Sequence, residues 1–250
     1  MKLKKPNFII GIIIFFLLWS IVSTFNLVDS FFLPTPLAVL IKLSNLIISG
    51  TIIPDLLSTV GKVIISLGIS LVVGIPVGLL LGSSKKVYDS LEFVIDFFRS
   101  LPAVALFPLF LLIFGIGDEA KIAVTVFGAT LIILFNTAHG IKHSNKSRVM
   151  AAKLMGATKI QIFKTISFWE SLPQTFAGIR ITISFTLILI LLTEMFIGTE
   201  IGLGRRLVDF QYIYDLSGMY AVIILTGIIG YLLNMLFVFL EKKIIHWSGK

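Results

Sequence analysis

The residues able to do chemistry are few, and most chemistries they could support fail on inventory. His139 and His143 share the i, i+4 spacing of a helical metal-ligand pair. Gly140, Ile141 and Lys142 stand between them, however, so there is no HExxH zinc site. These two and the third histidine, His246, lie outside the runs predicted below to cross a membrane. There is no cysteine, which removes disulfides and thiolate ligands. No G-x-x-x-x-G-K-S/T loop is present to cradle a nucleotide phosphate. No acidic cluster suits a magnesium–diphosphate site. The inventory is that of a chain that is not an enzyme and carries no metal or cofactor. What remains to explain is Asn136 and Glu194, each within an apolar run, and one long polar segment, Lys146 to Pro173.

The elements around these residues are set by composition. Of 250 residues 57% are hydrophobic and only 14% are charged, and the mean hydropathy is +1.03. Soluble domains carry about 25% charged residues. A membrane span needs about 20 mostly apolar residues. The expected fold is therefore all-α, a polytopic transmembrane helical bundle of about six spans forming a single domain over 1–250. The runs are Phe8–Phe25, then core spans within 59–240: Thr59–Leu81, Leu101–Ile116, Ile122–Ala138, Ala177–Ile197 and Gly218–Leu240. The first run is longer than the apolar core of a cleaved signal and ends in SIVSTFN, a poor cleavage site, so it is expected to stay as a span. Leu37–Ile48 reads as an amphipathic helix at the outer interface. Gly61, Gly68, Gly74, Gly78 and Gly82 are small residues that let helix backbones pack closely. Pro76 predicts a kink. GIGDEAK at Gly115–Lys121 reads as an external turn, and Thr199–Ser217 as an external loop.

Charge sets the orientation. The net charge is +8, without a basic run interleaved with aromatics, so nucleic acid is excluded as a partner. Six spans place both termini on one side. With those termini cytoplasmic, 16 of the 21 Lys and Arg fall in cytoplasmic segments or at their edges, while Lys42, Lys62, Lys121, Arg205 and Arg206 fall outside. This is the asymmetry of the positive-inside rule. It puts Lys146–Pro173 in the cytoplasm and the chain in the cytoplasmic membrane, among lipids. Arg99 and Arg180 stand at span starts, where snorkelling explains them.

Lys146–Pro173 is patterned. Arg148–Met155 reads as a first helix, with Ala151 and Ala152 side by side. Gly156 offers a stop, because glycine tolerates the left-handed conformation that ends helices. Thr158 and Gln161 have capping-box spacing for a second helix. Leu172 precedes a proline, which predicts that this helix ends near 172. Ile160, Phe163 and Ile166 form an apolar stripe for a groove or for the chain's own bundle. Taken alone, the segment could equally be an amphipathic hairpin lying on the membrane face.

Nearly the whole chain resembles the permease subunits of type I ABC importers, in the branch for nitrate, taurine and aliphatic sulfonates. The resemblance is carried by FLPTP (Phe32–Pro36), IPVGLLLG (Ile75–Gly82), FRSLPAVALFPL (Phe98–Leu109), FGIGDEAK (Phe114–Lys121) and AAKLMGA (Ala151–Ala157), continuing to SLP (Ser171–Pro173). The last is similar to the family's cytoplasmic EAA loop. The resemblance implies coupling helices seated on an ATPase, with Ala151, Ala152, Met155, Gly156, Ala157 and Ile160 at the contact. It departs from the family at Met150, where the usual acid is missing. It also implies two ATP-binding subunits that hold ATP and Mg, a second permease in a homodimer and an extracytoplasmic substrate-binding protein. Similar permeases handle nitrate, taurine, sulfonates, and thiamine- or riboflavin-related solutes. Glu194 and Asn136 are then candidates for the translocation path. The competing reading for both is a hydrogen bond to a neighbouring helix, and a bare carboxylate would repel an anion. A stand-alone channel or secondary carrier is the alternative function. It would show inverted repeats or coupled intramembrane charges, and the sequence offers only Glu194.

Overall fold

The computed structural model describes residues 5–196 and 199–245, and among these there are helices and no strand. His246, Lys250, Lys2 and Lys4 lie outside the described residues. The order is α1 (Lys5–Thr24), α2 (Pro36–Ile48), α3 (Ile53–Ser83), α4 (Lys85–Ser100), a 3-10 turn (Ala103–Leu106), α5 (Phe107–Phe114), α6 (Asp118–Lys142), α7 (Lys146–Leu154), α8 (Lys159–Ile162), a π-helical turn (Phe163–Ser167), α9 (Phe168–Glu194), α10 (Leu203–Tyr212) and α11 (Leu216–Ile244). Four of the described helical stretches are long and apolar enough to cross a membrane: α3, α6, the continuous stretch Lys159–Glu194, and α11. The α4–α5 pair makes a fifth if its two arms are one broken span. The apolar α1 precedes them.

The centre is a three-helix unit of α3, α6 and α9. Gly74, Gly78 and Gly82 recur every fourth residue and present bare backbone to α6. A Cβ on Gly78 would sit 2.7 Å from the Leu134 carbonyl oxygen, and one on Gly82 2.7 Å from that of Ala138. Gly61 and Gly68, expected to do the same, have open space around them. On the other side of α6, Gly140 meets the Ser171 backbone and Gly178 of α9 meets Asn136. Several buried hydroxyls along this unit bond back into their own helices, as Ser70 does to Ser66 (2.7 Å) and Thr182 to Gly178 (2.9 Å), while those of Ser66, Thr130 and Thr137 have no partner among the described residues.

The third expected span, Leu101–Ile116, is not one helix. Leu101 is extended (φ −76°, ψ 127°) ahead of Pro102, and the arms on either side are bent by 84°. The clash of a proline ring with the preceding residue accounts for the break. The same rule predicted a helix end near Leu172, and there the structure overrules it. The helix continues through Pro173 to Glu194. Ser171 and Thr175 are buried, with Ser171 pressed against Gly140 of α6, and this packing holds the segment helical through the missing N–H. The predicted external loop contains the ten-residue α10, and α2, expected as an interfacial helix, packs with α10 and α11 around Val39, Leu43, Phe210 and Val222. Thr35 caps α2 by accepting from the Ala38 N–H (3.3 Å), with Pro36 at its first position.

Gly78→Val should destabilise the helix unit by about 1–3 kcal/mol, since the neighbouring backbone cannot retreat. Gly61→Ala should leave stability unchanged. Thermal unfolding of the detergent-purified protein compares the two.

Candidate functional site

One end of the bundle carries the α7–α8 hairpin; the opposite, far end carries a cluster of buried ions. The hairpin is built as its pattern predicts, with α7 at Lys146–Leu154 rather than Arg148–Met155. Asn145 caps α7, its side-chain oxygen accepting from the N–H groups of Ser147 (3.0 Å) and Arg148 (3.2 Å). Gly156 turns the chain with φ +82°. The capping box is complete: the Gln161 N–H donates to the Thr158 hydroxyl (3.3 Å), and the Thr158 N–H donates to the Gln161 side chain (2.7 Å).

Glu170, which sequence reasoning passed over, ties this hairpin to α9. Its carboxylate accepts from the Asn145 N–H (2.5 Å) and pairs with Arg148 (2.9 Å). It lies 22 residues from Arg148, so nothing local in the sequence marks the pairing. Both ends of α7 are therefore held, by Asn145 and Glu170 at its start and by the Gly156 turn at its end.

The hairpin's large apolar residues face outward. Leu154 and Met155 are 80% and 86% exposed, Ile160 68% and Met150 59%. Ala151 and Gly156 are exposed between them, and Ala152 and Ala157 are half-buried. A shallow recess of about 550 Å³ runs along α7 at Lys146, Ser147, Met150, Ala151 and Leu154. Of the expected apolar stripe, Ile160 points away from the bundle while Phe163 and Ile166 are half-buried; Ile162 is the residue that docks inward.

At the far end Glu194 is fully buried and fully partnered. It accepts from Lys62 Nζ (2.8 Å), the Thr59 hydroxyl (2.8 and 3.0 Å) and the Gly204 N–H (3.0 Å). Lys62, counted from sequence as an external charge, is 4% exposed and also faces Asp118 (3.3 Å), which Lys121 holds at 2.9 Å. Beside them the nearly buried Asp55 accepts from the Gly202 N–H (3.0 Å) and from Arg206 Nε (2.8 Å). Three cations and three carboxylates thus join α3, α6, α9 and α10. Asn136 lies on the α6–α9 contact, donating to the Ile132 carbonyl (2.8 Å) and accepting from Gln174 (3.2 Å).

His139, placed outside the spans from sequence, is inside α6. Its ring stacks at 3.9 Å on that of His143. No group of three or more metal-ligating side chains occurs among the described residues. Arg180 pairs with Glu241 of α11. Arg99 pairs with Asp96 (3.2 Å) and lies over the Phe135 ring (3.7 Å).

Residues 74–246 match the family of binding-protein-dependent transport system inner membrane components, and the chain belongs to that family. It is similar to the taurine transport system permease protein TauC of Escherichia coli (strain K12), 27% identical over 237 residues, 93% of this chain and 86% of that one. The nitrate import permease protein NrtB of Synechocystis sp. is 29% identical over 196 residues, 78% and 71% of the two chains. Among solved structures, an inward-facing form of the MetNI methionine ABC transporter matches with a TM-score of 0.65 at 25% identity, covering 79% of this chain and 96% of that one. The chain is accordingly a multi-pass membrane permease subunit of a type I ABC importer, and not an enzyme; ATP hydrolysis belongs to a separate subunit.

Lys62→Met strands the Glu194 carboxylate without its cation and should cost about 3–5 kcal/mol. Adding Glu194→Gln should recover part of that loss. Thermal unfolding of the single and double variants measures both.

Proposed function

We propose that the α7–α8 hairpin is the surface through which an ATPase subunit drives this permease, with Ala151, Ala152, Met155, Gly156, Ala157 and Ile160 at the contact. The observation that carries this reading is the exposure of Met150, Leu154, Met155 and Ile160 together on a hairpin held at both ends. Exposed apolar patches of this kind mark interaction sites. Unbranched methionines adapt to a partner's groove, and the small Ala and Gly side chains let its backbone approach. At Met150 no acid is available to the partner, and the cation Arg148 is instead occupied by Glu170 of the same chain.

The hairpin end is then cytoplasmic, as the charge asymmetry indicates, with both termini on that side. The working assembly is two copies of this chain, two ATPase subunits carrying ATP and Mg, and an extracytoplasmic binding protein in the cytoplasmic membrane. ATP closes the ATPases, the hairpins move with them, and the path changes the side to which it opens. The solute is small, of the sulfonate, taurine or nitrate kind or a thiamine- or riboflavin-related compound. Glu194, sealed among Lys62, Thr59 and Gly204, serves in this reading to hold the far end of the helices together rather than to meet solute, and Asn136 to join α6 to α9.

Gly156→Asp tests the coupling role. The turn needs φ +82° and has open space beside it, so the substitution puts strain and charge on the contact surface without disturbing the bundle. It should abolish retention of the co-expressed ATPase, or uptake, with membrane insertion unchanged. Normal retention and normal uptake in that variant would overturn the reading.

A further inference from the structure

The charges of α4 are in an unusual place. Asp89, Glu92, Asp96 and Arg99 occur at i, i+3, i+7 and i+10 and so share one flank of the helix, and all are exposed. Val94 and Phe97, 43% and 53% exposed, lie on the other side. The helix begins at the hairpin end, where Lys142 of α6 lies over the ring of Tyr88 (4.1 Å). It climbs α6 until Phe98 meets Phe127 at 5.9 Å. There it breaks, and a cavity of about 380 Å³ opens at the break, with Arg99, Ser100 and Ala103 on one side and Phe127, Leu131 and Phe185 on the other. Gly128 leaves room for it, since a Cβ there would sit 2.9 Å from the Phe185 ring. Residues 128–132 lie about 15–21 Å along α6 from Asp118, at about 1.5 Å per residue. This is close to the middle of a hydrocarbon layer about 30 Å thick.

Asp89 and Glu92 lie nearer the hairpin end, but Asp96 and Arg99 approach that depth, where exposed charges do not face lipid. Such residues face a water-filled cavity or a partner. We propose that the charged flank of α4 faces water inside the assembled permease, and that Arg99, at the cavity where α4 breaks, holds the oxyanion group of the transported solute. This deepens the importer reading and rests on it. The guanidinium is fixed in place by Asp96 and by the Phe135 ring beneath it. A monodentate contact to Asp96 leaves N–H donors free, and the planar fork matches a carboxylate, sulfonate or nitrate. Phe127 and Phe185 supply apolar walls for the solute's organic part. The solute class is therefore a small molecule bearing an oxyanion.

The absence of cysteine makes this directly testable on the complete importer. Single variants Glu92→Cys, Asp96→Cys, Ser100→Cys, Val94→Cys and Phe97→Cys are made in the permease assembled with its ATPase in membranes. They are treated with the water-soluble sulfonatoethyl and trimethylammonioethyl methanethiosulfonates. The flank positions should label, and Val94→Cys and Phe97→Cys should label at least tenfold more slowly. At Ser100→Cys the sulfonate reagent should outpace the cationic one relative to their rates with free thiol. The ratio should fall about tenfold in the Arg99→Gln background, the change expected for loss of one neighbouring unit charge in a wet site. Leu131→Cys, across the cavity on α6, repeats the measurement should Ser100→Cys not assemble.

Flank cysteines no more reactive than Val94→Cys, or a reagent preference at the cavity that ignores Arg99, would overturn the proposal while leaving the importer reading intact. Labelling that is unaffected by ATP would instead count against coupling to an ATPase, with the aqueous site still standing.

Discussion

The structure depends on the pairing of Lys62 with Glu194. A carboxylate with no exposed surface survives in an apolar bundle only if its charge and its lone pairs are all met. Glu194 meets that demand with four donor contacts from three directions: Lys62 and Thr59 of α3, and the backbone N–H of Gly204 at the start of α10. Because Lys62 also reaches Asp118, the far ends of α3, α6 and α9 are fixed relative to one another. The glycines of α3 then bring it against α6 along the rest of its length. One end of the unit is tied by ions and its body by backbone contact, so it can move as a rigid piece.

A rigid piece needs a handle, and the hairpin has the properties of one. Its first helix is short, and an isolated helix of nine residues would not persist, whereas α8 runs on into α9. The caps from Asn145 and Thr158 and the Glu170 pairing replace the missing cooperativity. They fix the hairpin at the junction of α6 with α9, the two helices whose contact runs through Gly140 and Gly178. On the proposed coupling role, a force applied at Met155 or Ile160 would reach the centre of the bundle through these contacts. The broken α4–α5 arm stands apart from this unit, with its prolines and its charged flank. That is the arrangement expected where one element must face solute while its neighbours carry load.

Much of this was legible in the residues. The apolar runs, the capping boxes, the glycine turn and the basic asymmetry are local or compositional properties, and each follows from the chain's own stereochemistry. Pro102, directly after the break at Leu101, was equally visible, yet the same signal at Pro173 misled. Whether a proline ends a helix depends on what packs against the residue before it, and sequence does not contain that. Helix α6 runs a turn beyond its apolar stretch, so His139, outside the expected span Ile122–Ala138, still lies within a helix.

The sequence by itself determined the class of protein, the order of its membrane helices and the hairpin, because periodicity, hydropathy and capping act over a few residues. Only the tertiary structure decided which charges are paired. Lys62 and Glu194 are 132 positions apart, and Arg206 and Asp55 151 apart, so their meeting is a product of helix packing and not of spacing. Seen as an isolated acid, Glu194 suggested a path for solute; the structure shows it buried with its cation beside it. The charges that remain uncovered, on α4, became visible only once the others had been accounted for.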